Sequence, residues 1–213
     1  MVPSFTKRHA ILEDALPAPA FDALRTEIAA LSETERSYVP AHKKGGTIAY
    51  DRLRATAPRT VALYHSADLK ALISHIVGAP VLPTPLHDQS SLSVLRYDKP
   101  GDHIGWHYDH NFYRGRHFTV LLGIENRGAG VGLSSARLVI RDGKDETVFA
   151  TPPNTLVVFE GARTLHKVTP IAADERRVIL SMTYCTDPTN TLAFEVGRRI
   201  KDMAFIGPRA LWT

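Results

Sequence analysis

The chain has 213 residues, which suits one domain, and its 44% hydrophobic and 23% charged residues exclude a disordered or fibrous protein. Lys and Arg exceed Asp and Glu by only 26 against 22, scattered rather than drawn into the continuous stripe of a nucleic-acid binder. No apolar run approaches the roughly 18 residues of a membrane span, and the single Cys185 allows neither an internal disulfide nor a multi-cysteine zinc site.

In chain order, residues 1–8 lead into Glu13 and Asp14 with no apolar h-region, so no signal peptide and a cytoplasmic location are expected. Pro19-Ala20-Phe21-Asp22-Ala23-Leu24 opens a helix with Phe21, Leu24, Ile28 and Leu31 on one face. Lys43-Lys44-Gly45-Gly46 reads as a mobile loop. A second helix begins after Ser66, carries Leu69, Leu72, Ile73 and Ile76, and ends at Gly78. From Ser90 the texture turns to strands, at 92–97, 118–124, 136–140, 147–149, 155–159 and 177–184, with a hairpin signal at Asp142-Gly143. Such closely spaced strands predict a β-sandwich or barrel, an all-β core with the early helices packed on one sheet. No composition break marks a second domain. One domain over 1–213 is expected: a helical support region (1–90), a catalytic β-core (91–185) and a tail (186–213) with a helix near 194–203.

Two places concentrate chemistry. One is His103-Ile104-Gly105-Trp106-His107-Tyr108-Asp109-His110, and the other is Arg163-Thr164-Leu165-His166-Lys167-Val168. Two imidazoles and one carboxylate are the ligand set of the facial triad that holds non-haem Fe(II) with open positions. The i, i+2 spacing puts His107 and Asp109 on one side of an extended segment, and a barrel brings a distant strand's His166 to them. On the strand that follows, Arg177 shares a face with Ile179, Ser181 and Thr183. An arginine inside a barrel is costly unless it meets an anion such as a dicarboxylate. Periodicity leaves open which face is inner, and Arg176 takes the role if the register shifts by one.

Leu95-Arg96-Tyr97, Pro100-Gly101 and His107-Tyr108-Asp109, then 116–122, then Val157-Val158-Phe159-Glu160-Gly161 leading to His166, then Arg177 with Ser181, together resemble the Fe(II)/2-oxoglutarate-dependent dioxygenases. The prolyl-4-hydroxylase-like branch is the most similar. The resemblance implies a double-stranded β-helix (jelly-roll, cupin-like) barrel with N-terminal supporting helices. It also implies Fe(II) on His107, Asp109 and His166, and 2-oxoglutarate on Arg177, Ser181 and Tyr97. Dioxygen is consumed, succinate and CO2 are released, and ascorbate is a possible stimulant. In related halogenases a small residue replaces the carboxylate, so Asp109 argues for hydroxylation or another oxidative step such as desaturation. Departures are Gly123, where some relatives carry a tyrosine, Leu133-Ser134-Ser135 in place of a glycine pair, and a longer stretch before Arg177.

Trp106 and Arg116 flank the metal motif and are the candidate substrate-binding residues. A guanidinium at a pocket mouth selects carboxylate, so the expected substrate is a free amino acid or similar small metabolite. The alternatives are a protein side chain of the prolyl type, an alkylated base in nucleic acid, or a non-catalytic cupin-like barrel that binds small ligands. No base-stacking module supports the nucleic-acid reading. No triad residue is lost, which the non-catalytic reading would favour.

Overall fold

The structure of the chain is a computed structural model that describes residues 5–32, 34–39, 42–85, 87–190 and 195–198. A short strand β1 (His9–Leu12) leads to helix α1 (Ala18–Ala29), the hairpin of β2 (Glu35–Val39) and β3 (Lys43–Ile48), and helices α2 (Tyr50–Thr56), α3 (Pro58–His65) and α4 (Ala67–Val77). After the two-residue β4 (Leu82–Pro83) come β5 (Leu92–Tyr97), β6 (His103–His107), β7 (His117–Arg127) and β8 (Leu138–Asp142). The last strands are β9 (Asp145–Phe149), β10 (Leu156–Phe159), β11 (Leu165–Val168) and β12 (Arg176–Cys185).

Helix α1 buries Phe21, Leu24 and Ile28 of the predicted stripe, while Leu31 lies past its end and packs half-buried against the same core. The Arg96 guanidinium donates to the carbonyls of Ile28 and Leu31 at 3.1 and 2.6 Å, placing a cation at the helix's negative end. Helix α4 starts on Ser66, whose hydroxyl accepts the Leu69 N–H at 3.2 Å, and stops at Gly78 with φ +69°. Helices α2 and α3 were not predicted. They have 7 and 8 residues and bury two each, too short a stripe to read as periodic. Among the described residues no helix is long and apolar enough to cross a membrane.

The strands form one curled antiparallel sheet in the order β1-β10-β7-β12-β5-β3-β6-β11-β8-β9, with β2 on β3 and β4 on β12. Its inner face packs Leu121 and Ile179 against Leu138, Ile140, Phe149 and Val157, while Val120, Leu122, Leu180 and Met182 face the helices. Strand β12 is therefore apolar on both sides because it has a core on each. This is the double-stranded β-helix with supporting helices.

The Asp142-Gly143 hairpin forms with Asp142 opposite Asp145. The loop expected at Lys43 to Gly46 is instead part of β3, which pairs with β5 and β6. A Cβ at Gly46 would collide with Thr34 and crowd Arg96, so this glycine permits close approach rather than motion. Residues 195–198 are helical, and the rest of the predicted 194–203 helix lies outside the described residues.

Candidate active site

Strand β6 ends on His107, and β11 pairs with it so that His166 lies directly opposite, ring centroids 4.1 Å apart. Asp109 follows β6, and its Oδ1 is 3.5 Å from Nε2 of both histidines. One ligand atom from each of the three lies within 4.8 Å of the others. Each Nδ1 is 2.8 Å from a backbone carbonyl, of Gly105 for His107 and of Thr164 for His166. A carbonyl only accepts, so Nδ1 carries the proton and each Nε2 is left to face Asp109. Burial opposes the Asp109 charge, but the two imidazoles hold its carboxyl well below the usual carboxylate range. Burial likewise opposes the His166 cation, yet Asp109 raises its pKa. Converging imidazole nitrogens around a carboxylate oxygen could hold a metal ion, and two nitrogens with one oxygen are a donor set that suits Fe(II).

Arg177 lies opposite Tyr97 on the inner face of β12 and is 1% exposed. Its guanidinium stands 5.2 Å from the Tyr97 ring centroid, and Nε and Nη2 donate to Thr151 Oγ1 at 3.2 and 3.0 Å. Among the described residues no carboxylate pairs with it. Burial pushes its pKa down and that of Tyr97 up. A buried guanidinium bonded only to neutral groups is a place for an anion, as the distal carboxylate of 2-oxoglutarate requires. Arg176 points outward to Glu125, 3.1 Å away. Ser181 is four residues further along β12, about 13 Å at the rise of an extended strand. Its side chain lines the cavity beside His107 and Asp109, which Arg177 does not line.

This cavity has a volume of about 200 Å³ and is walled by Lys43, Thr47, Asp88, Ser93, Ser181 and Thr183 besides His107 and Asp109. The Lys43 ammonium is inside the barrel, donating to Thr47 Oγ1 at 2.8 Å, and burial pushes its pKa down to about 8. Asp88 accepts from the Tyr113 hydroxyl at 2.8 Å and the Ser90 N–H at 3.0 Å. Neither residue was predicted for the site: a Lys-Lys-Gly-Gly run carries a loop's composition, and Asp88 stands in no periodic element.

Two sequence-predicted substrate residues lie elsewhere. Arg116 immediately precedes β7 and lies on the side of Phe118, its guanidinium pairing with Glu160 at 3.3 Å and standing 4.8 Å from the Phe118 ring centroid. Strand alternation turns it away from the cavity that its neighbours His117 and Thr119 line. Trp106 faces the outside of β6 and β11, covered by Arg141 at 4.2 Å and Lys167 at 4.4 Å. At Gly123, a Cβ would collide with the Pro152 carbonyl, so the tyrosine of some relatives has no room here.

Fold and site together define a non-haem iron oxygenase architecture. Residues 3–114, more than half of the chain, match the family model described as Halogenase D, and residues 92–184 match that of the 2OG-Fe(II) oxygenase superfamily. A PKHD-type hydroxylase of Synechococcus sp. (strain CC9605) is 29% identical over 134 residues, covering 58% of this chain and 58% of that protein. A 2OG-Fe(II) oxygenase family oxidoreductase of Burkholderia pseudomallei has a similar fold, with TM-score 0.69 and 17% identity over 88% of this chain and 89% of that one. So does a prolyl hydroxylase of Trichoplax adhaerens, solved with a hypoxia inducible factor peptide, at TM-score 0.66 and 17% identity over 85% and 84%. The chain belongs to the Halogenase D family and to the 2OG-Fe(II) oxygenase superfamily.

Proposed function

We propose that the chain is an Fe(II)- and 2-oxoglutarate-dependent hydroxylase of a C–H bond in a small carboxylate metabolite, most simply an amino acid or its derivative. His107, Asp109 and His166 would hold Fe(II), and Arg177 beside Tyr97 would hold the distal carboxylate of 2-oxoglutarate. When bound, these groups supply the oxidative chemistry, consuming dioxygen and 2-oxoglutarate and releasing succinate and CO2. The carbonyls of Gly105 and Thr164 fix the imidazole tautomers. Thr151 and Tyr97 orient the guanidinium, and Tyr97 itself is packed in the buried apolar cluster with Leu121 and Ile179. Asp109 supplies a third ligand atom within 4.8 Å of the two imidazoles, where related halogenases carry a small residue, and this favours hydroxylation over halogenation.

One observation carries the substrate class: two buried charges, Lys43 at 8% exposure and Asp88 at 4%, on the cavity wall. An ammonium on a cavity wall attracts a carboxylate and a carboxylate attracts an ammonium, beside whatever partners each already has. A small zwitterion presents both. A second reading, hydroxylation of a prolyl side chain in a protein, draws on the names of the Synechococcus and Trichoplax relatives. It also draws on the half-exposed Tyr108 at the cavity wall, which a peptide crossing the mouth would meet.

Succinate release with Fe(II) and 2-oxoglutarate, run against the twenty free amino acids and against proline-containing peptides, tests both readings. A free amino acid that raises succinate release and gains one oxygen by mass is the expected result. Stimulation by peptides alone establishes the second reading. No stimulation by either removes both.

A further inference from the structure

We propose that Thr119 and Gly161 hold Asp109 to a single oxygen facing the metal, so that Thr119 is the positioning residue of the carboxylate ligand. The proposal rests on the metal reading above. Asp109 lies beyond the end of β6, so no strand ladder aims its side chain. A carboxylate on such a segment rotates about its last torsion, which is broad and roughly two-fold, and can exchange its oxygens.

Three contacts remove that freedom. The Asp109 N–H donates to the Gly161 carbonyl at 3.0 Å, pinning the backbone. The Thr119 hydroxyl donates to Oδ2 at 2.5 Å, while Oδ1 is the oxygen that stands 3.5 Å from both imidazole nitrogens. Gly161 closes the third side: a Cβ there would overlap both the Asp109 carboxylate and the Thr119 hydroxyl. The two oxygens of Asp109 are thus made unequal by the chain itself.

The inequality has a chemical use. A carboxylate can bind a metal through one oxygen or two. A cosubstrate chelating through two atoms, together with dioxygen, needs three open positions, which a three-ligand facial set leaves only if the carboxylate takes one. Thr119, by engaging Oδ2, keeps the third position open. Its own placement is secure, because β7 pairs on both sides and sets Thr119 opposite Phe159 and Thr183.

Co(II) titration of the full chain, followed by visible absorption with and without 2-oxoglutarate, tests this in Thr119→Ser, Thr119→Val and Asp109→Ala. Thr119→Ser should keep wild-type affinity and spectrum. Thr119→Val should bind Co(II) about 10–100-fold more weakly, the range for loss of a ligand-orienting partner, with altered band intensity reporting a changed ligand set. Thr119→Ala removes the hydroxyl without crowding and carries the same expectation should the valine variant not fold. Wild-type affinity and spectrum in these two variants, with binding lost in Asp109→Ala, would overturn the proposal and leave the metal reading intact. Equal Co(II) binding by wild type and Asp109→Ala would overturn the metal reading and this proposal with it.

Discussion

Arg177 and Arg176 are adjacent in sequence and opposite in circumstance. Arg177 is enclosed with Thr151 and Tyr97, whereas Arg176 meets Glu125 in a half-exposed pair. Removing a buried charge that binds a charged partner costs about 2–5 kcal/mol of binding, while an exposed pair contributes at most about 1 kcal/mol. Arg177→Ala should therefore lose about 2–5 kcal/mol of 2-oxoglutarate affinity and Arg176→Ala almost none, as read by calorimetry on the Co(II)-loaded protein. The sequence could name the pair but not choose between them, because β12 has apolar residues on both faces. The histidines and Asp109 were legible for a different reason: their residue types are restricted by ligand chemistry. Lys43 and Thr119 were not, since a lysine beside two glycines reads as solvated and a threonine in a strand reads as β-propensity.

Among elements, the β2–β3 hairpin decides the shape of the cavity, because it brings Lys43 and Thr47 into the barrel wall. Its anchor is Arg36, whose Nη1 reaches Asp98 at 2.7 Å and whose Nη2 reaches both oxygens of Asp102 at 2.7 and 2.8 Å. Asp102 is fully buried and also accepts the N–H groups of Asp98 and Lys99, both at 3.1 Å, in the turn that launches β6 toward His107. Arg36→Ala would strand that carboxylate. The expected cost is about 2–4 kcal/mol in chemical unfolding, near the lower end for breaking a buried pair because the arginine is partly exposed. Arg36→Lys should recover only part, since one ammonium cannot reproduce a fork that bridges two carboxylates. The hairpin was missed because glycines that permit tight packing look, in sequence, like glycines that permit motion. The long strands and the helices α1 and α4 were legible because their periodicity answers to continuous cores.

At the scale of the whole molecule, burying a cation in a barrel core sets a term in the folding free energy that varies with pH. Burial lowers the Lys43 pKa from 10.5 to about 8. Between those two values the unfolded chain binds the proton and the folded chain has released it, so stability attributable to this residue rises as pH increases. Below about pH 8 the ammonium is charged in both states and the full burial penalty applies, on the order of 3 kcal/mol for a shift of this size. Lys43→Met removes the charge while keeping an unbranched side chain. The variant should be more stable than wild type at pH 7, with the difference shrinking as pH is raised from 8 toward 10. The other ionisable groups on the cavity wall are His42, Asp88, His107, Tyr108, Asp109, His110 and His117; burial and the neighbouring cations, Lys43 among them, hold His42 below its usual value, so it stays neutral across the pH range compared. Urea unfolding of both proteins at pH 7, 8 and 9.5 reads the difference directly. A gap that stays constant across that range would mean the Lys43 amine keeps its proton in the fold through a partner that compensates its burial.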